Sequence, residues 1–198
     1  MIFTGCNNES IESLTVIQIK GNYILPKEGV SISDSREMII EKLMEMGVKG
    51  DIDKVALIEE ITIKEVWENA GIQLFSVNVD YAWFYGVAIM KDNEVLEVLH
   101  GMPTLGVFLA DLNKDSIYEV YTNIASGSGI VSMEILGYDI ASLEKLHLSK
   151  RGEQDFSLFV QNNMLMAKVT TYPNVDKLEK TGRVMMRSID NKKELYIQ

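Results

Sequence analysis

The chain has 198 residues, 46% of them hydrophobic, and 19 Lys and Arg against 29 Asp and Glu give it a net charge of −10. That is ample apolar material for a packed core, while the acidic balance would repel a nucleic-acid backbone or an anionic lipid surface instead of releasing its counterions. No apolar run approaches the roughly 20 residues that span a bilayer as a helix, and Cys6, the only cysteine, excludes both an internal disulfide and a multi-cysteine metal site.

Small residues lead up to that cysteine in Phe3-Thr-Gly-Cys6, and the polar run Asn7-Asn-Glu-Ser10 follows it. The pattern resembles the lipobox of bacterial lipoproteins, whose cysteine becomes the lipid-modified first residue after a signal peptide is cut. The resemblance implies a lipid anchor at Cys6 and an extracytoplasmic location, with membrane contact only through that anchor. Phe3 stands where the lipobox usually has Leu, and the basic and apolar regions of a signal peptide do not precede it in this sequence. The alternative is a cytoplasmic N-terminus with an ordinary free thiol. Residues 1–12 read as a tether, and 13–198 as one domain.

Leu14–Lys20 alternates and is rich in β-branched residues, so it predicts a strand closed by Gly21-Asn22, with Pro26 and Gly29 marking a loop. Asp34, with Glu37 three residues on, has the spacing of a capping box, and apolar residues from Met38 to Met46 predict a helix over 35–46 that ends at Gly47. Lys54–Ile58 is too short to separate strand from irregular structure. Thr62 and Glu65 repeat the capping pattern and predict a second helix over 63–69, ending before Gly71.

From Ile72 onward aromatic and β-branched residues dominate in short runs. Strands are expected at 72–79, 81–90, 95–99, 107–110, 117–124, 130–138, 143–148, 156–160, 164–171, 183–188 and 194–197. Asn tolerates the positive φ of tight hairpin turns, so Asp92-Asn93, Asn162-Asn163 and Asp190-Asn191 predict antiparallel hairpins. Gly101–Gly106 and Pro173–Thr181 read as loops. The predicted fold is α+β, a mainly antiparallel sheet or sandwich over 72–198 with two short N-terminal helices packed on it.

One stretch has the spacing of a cation site. Asp111, Asn113 and Asp115 place side-chain oxygens at positions one, three and five, Ile117 offers a backbone carbonyl at seven, and Glu119 stands at nine. This resembles the acidic loops of FG-GAP and similar extracellular β-repeats, which bind calcium between two strands, and the resemblance implies Ca²⁺ as a structural ion. Ser116 occupies the position where those loops usually carry Gly, which puts a Cβ where a left-handed backbone is expected. The alternative is a metal-free turn whose Asx side chains bond their own backbone.

A broader likeness runs over residues 50–140, through Ala56–Val66, Gln73-Leu-Phe75, Leu109–Asn113 and Tyr121–Ile130. These stretches resemble uncharacterised extracytoplasmic proteins and domains of Gram-positive bacteria, which implies an accessory or sensing role toward a protein or cell-surface ligand. Trp83 and Tyr85, flanked by Tyr81 and Phe84, would put aromatics on both faces of one strand, one face core and the other a candidate ligand platform.

Other constellations point away from catalysis. Ser126-Gly-Ser-Gly129 lacks the order of a nucleophile elbow and precedes a strand. His100 and His147 have no second His or Cys at ligand spacing. Glu59 and Glu60 are adjacent and would face opposite sides of a strand. The preferred expectation is a non-catalytic extracytoplasmic binding or sensing domain. An extracytoplasmic hydrolase using acidic residues such as Asp111 and Glu119, and a cytosolic protein-interaction module, are its alternatives.

Overall fold

The computed structural model describes residues 14–19, 32–127, 129, 131–171, 178–190 and 192–198. Cys6 and its tether, the Gly21-Asn22 closure and the loop at Pro26 and Gly29 lie outside the described residues.

The expected α+β, mainly antiparallel architecture is what the chain adopts, built as three stacked four-stranded meanders instead of one sheet or a two-sheet sandwich. The first meander is β2 (Leu57–Glu60), β3 (Gln73–Val79), β4 (Phe84–Lys91) and β5 (Glu94–Gly101). The second is β6 (Thr104–Ala110), β7 (Glu119–Ser126), β8 (Ser132–Asp139) and β9 (Glu144–Leu148), and β1 (Ile17–Ile19) pairs on its β6 edge. The third is β10 (Gln154–Gln161), β11 (Met164–Thr171), β12 (Leu178–Ile189) and β13 (Lys192–Ile197).

Three helices accompany them: α1 (Ile32–Glu45), the single turn α2 (Ile52–Val55) and α3 (Lys64–Ala70). Ile39, Ile40 and Leu43 of α1 pack on Phe75, Val77, Ala88 and Val98, covering the outer face of the first meander. Val66 and Ala70 of α3 join the layer between the first and second. None of the described helices is long and apolar enough to cross a membrane.

The middle meander is buried on both faces. Because successive strand residues point to opposite sides, Val107, Leu109, Val120 and Leu136 pack toward the first meander. Their neighbours Phe108, Ala110, Tyr121 and Ile135 pack toward the third. That explains the unbroken apolar run Val107-Phe-Leu-Ala110, which lacks the alternation of a strand with one wet face. Gly137 makes room for the fully buried Tyr121, since a Cβ there would lie 2.6 Å from its ring.

The hairpin chemistry holds where it is described. Asp92 and Asn93 have φ of 50° and 64°, and Asn162 and Asn163 have 50° and 56°, the left-handed pair of a type I′ turn. Several expectations are corrected. Asp80–Ala82 is a 3-10 turn and Trp83 has φ 51°, so the strand begins at Phe84, and residues 80–83 are the hairpin loop closed by the Val79–Phe84 pair.

Thr62 does not cap a helix. Its hydroxyl donates to Glu60 Oε1 at 2.8 Å and accepts from the Leu74 amide at 2.9 Å, while the residue before α3, Ile63, makes no side-chain cap. Asp34 lies within the first turn of α1, not before it. The Gly101–Gly106 loop shrinks to Met102 and Pro103, joined by a cis bond and clasped by both backbone groups of Ala125. Strand β12 begins at Leu178, inside the expected loop, because residues 178–183 pair with β11.

Candidate functional site

The acidic loop joins β6 to β7, as its spacing predicts. Its side chains serve mainly as acceptors for its own backbone. Asp111 takes the amides of Asp115 and Ser116 at 3.1 and 3.0 Å, Asn113 Oδ1 takes Asp115 at 2.8 Å, and Asp115 Oδ1 takes Ile117 at 2.8 Å. Lys114 and Ser116 have φ of 66° and 69°. Ser116 therefore holds a left-handed backbone, at a cost of roughly 1–2 kcal/mol for a residue with a Cβ.

Glu119 begins β7 and turns inward, 1% exposed. Its carboxylate accepts the amides of Leu112 at 2.8 Å and Asn113 at 3.3 Å, and the Tyr121 hydroxyl at 3.2 Å. Burial pushes its carboxyl up to about 8; the two amide bonds oppose that, while Asp139 and Asp111 add to it. The same burial, with Glu119 beside it, raises the Tyr121 phenol well above its ordinary value.

Three residues that the linear spacing did not reveal complete the surroundings. Asn69 of α3 donates to the Ser116 carbonyl at 2.9 Å and accepts from the Tyr118 amide at 2.8 Å, latching the loop to the helix. Asp139, at the end of β8, accepts Asn113 Nδ2 at 3.0 Å and the Lys193 ammonium. Burial works to raise Asp139, but the Lys193 hydrogen bond and the Ser142 amide outweigh it, and the carboxyl sits below its ordinary range. Lys193 is raised: burial alone would lower it, and the Asp139 bond prevails.

Asp139 carries one sequence signal, an Asx turn in which its Oδ1 accepts Ala141 and Ser142 amides at 2.9 and 3.0 Å. Asn69 and Lys193 carry none, because they lie 47 and 54 residues from their partners.

The expected ligands Asp111, Asn113, Asp115, Ile117 and Glu119 are thus gathered in one joint, yet among the described residues no three His, Cys, Asp or Glu side chains are arranged to hold a metal ion.

Trp83 and Tyr85 lie on different elements. Trp83 stands on the 80–83 hairpin loop and is 69% exposed. Tyr85 lies on β4 and donates to Asp80 at 2.9 Å, a bond that raises its phenol. Hollows of about 300, 250 and 210 Å³ occur elsewhere on the surface, and none of the three is lined by either residue.

Both histidines lie on strands. His100 stacks on Phe84 with centroids 4.5 Å apart, and burial, helped by Lys145, lowers its pKa. His147 meets Glu134 at 2.6 Å, and Ser126 donates to the other oxygen of the same carboxylate. The carboxylate stands between serine and histidine, so the histidine does not reach the hydroxyl as a nucleophile's base must. Glu60 is buried and accepts from Thr62 and Gln73, while Glu59 faces the other side.

Fold and site together define a stack of antiparallel meanders with an acidic joint in its middle layer. The chain matches no known protein family, no curated protein and no solved structure.

Proposed function

We propose that this chain is a non-catalytic binding or sensing domain of an extracytoplasmic lipoprotein, anchored through Cys6, whose Asp111–Glu119 loop takes a structural calcium ion. The observation that carries the ion is the left-handed backbone at Ser116, φ 69°, in the place of the usual glycine. Left-handed backbone also serves the hairpin turns at Asp92-Asn93 and Asn162-Asn163, so what supports the ion is its occurrence at Ser116, the sixth position of the acidic spacing. Asp115 is exposed and Asp111 half-buried, so both carboxylates can reach an incoming ion. A protein or cell-surface ligand is the intended partner, and Trp83, with the neighbouring Tyr81, offers it an exposed aromatic surface.

Thermal unfolding in millimolar calcium and in chelator tests the loop, because a ligand that binds only the folded state raises the melting temperature. Equal melting temperatures end the calcium proposal. Expression from the native gene with a radiolabelled fatty acid tests the anchor: label should enter the wild type and be lost in Cys6→Ser. An unlabelled wild type ends that part alone.

A further inference from the structure

The third meander changes partners in mid-strand. Residues 178–183 of β12 pair with β11, whereas 184–189 pair with β13. The change falls at Arg183, which pairs with Met166 of β11 and exchanges both backbone hydrogen bonds with Gln198, and beside it a Cβ on Gly182 would lie 2.4 Å from the Gln198 carbonyl oxygen. Against both halves of this strand, and against the end of β9, lies a hollow of about 300 Å³.

The wall of this hollow is apolar: Leu148, Phe156, Val169, Leu195 and Ile197. Its rim carries Lys150, Lys180 and Arg187, and among the described residues no carboxylate lines it. With Arg187 taken up by Glu194, Lys150 and Lys180 are the two cations left at the rim, in a chain whose acids outnumber its bases by 29 to 19. Lys180 is placed by register, not by chance of surface. It pairs with Val169, which pairs with Phe156, so all three side chains leave the same, core-facing side of the sheet. Arg187 is held in place by Glu194 at 3.2 Å and by the Tyr196 ring, 5.2 Å from its guanidinium carbon.

We propose that this hollow binds an apolar carboxylate, its body buried against Phe156, Val169 and Leu195 and its anion met by Lys150 and Lys180. A cavity of about 150 Å³ accommodates benzene, so the body is the size of a fused aromatic pair or a medium alkyl chain. The apolar wall disfavours anything more highly charged, because burying an uncompensated charge is costly. This inference goes beyond the calcium reading and holds equally for a metal-free loop.

The test is calorimetric titration of the chain, in chelator, with 2-naphthoate and with its neutral analogue 2-naphthamide. Naphthoate should bind with a submillimolar Kd and the amide at least tenfold more weakly. The double variant Lys150→Glu/Lys180→Glu, altering two exposed side chains, should weaken naphthoate at least tenfold and leave the amide unchanged. Val169→Trp should abolish both by filling the hollow; if that variant fails to fold, the lysine pair decides. Absence of naphthoate binding at millimolar concentration, equal binding of acid and amide, or binding indifferent to the lysines overturns the proposal.

Discussion

Glu119 is the residue at which burial and charge are most sharply opposed. Its carboxyl keeps its proton up to about pH 8 in the folded chain, against an ordinary value of 4.5. A group whose folded pKa is raised contributes stability that is complete below its unfolded value and is lost as pH rises through the folded one. His100, lowered from 6.5, works the opposite way, but only up to that unfolded value. Between pH 6.5 and 8 stability in chelator should therefore fall by on the order of 1–2 kcal/mol. Glu119→Gln should flatten that slope in urea titrations at stepped pH, though it lowers overall stability; an unchanged slope would show that another group is responsible. Ser116→Gly should stabilise the chain by about 1 kcal/mol, relieving the left-handed strain, and calorimetric melting would show it. The acidic spacing of 111–119 was readable because ligands and turn acceptors share the same short-range pattern. Their inward bonding was not, since it depends on Asn69, Asp139 and Lys193, brought in by packing.

At the level of elements, Asn123 of β7 shows how the layers are tied. Its amide donates to the Glu134 and Phe156 carbonyls at 3.2 and 3.0 Å and accepts the Leu158 amide, so one side chain links the second meander to the first strand of the third. Asn123→Ala leaves three buried backbone groups without that partner and should cost about 2–4 kcal/mol, read as a lower urea midpoint at an unchanged m-value. Hairpins were legible from Asp92-Asn93 and Asn162-Asn163, whose positive φ is a local requirement. The aromatic strand was misread because Tyr81 and Trp83 have strong β propensity, and propensity yields to the four-residue turn that the Val79–Phe84 register imposes. Likewise Thr62 matches a capping box in sequence but is drawn into the buried Glu60–Gln73 pair.

For the whole molecule, the decisive fact is the doubly buried middle layer. Neither outer meander can leave without exposing one of its faces, so the three should unfold together. Trp67 and Trp83 lie in the segment of the first meander, while far-UV dichroism reports all three. The tryptophan fluorescence and dichroism transitions in urea should therefore coincide, and a tryptophan transition at lower urea would show the first meander peeling away alone. The composition announced a β-rich core, but the division into three sheets depends on which face each apolar run buries, and a run buried on both faces does not record it.

The short β1 has a mechanical consequence. Its three residues lie on the edge of β6, and the residues just before it are clasped from two sides: the Thr15 carbonyl accepts the Tyr118 hydroxyl at 3.0 Å, and the Val16 amide donates to Asn163 at 2.7 Å. A pull on the N-terminal end would travel through Thr15 to Tyr118, the residue next to Glu119. Because Leu14 and Ile17 also pack into the layer between the first and second meanders, and Val16 into that between the second and third, such a pull loads the acidic joint together with both layers, and optical-tweezer traces from the N-terminus should show release of β1 as an early, small extension ahead of the main rupture.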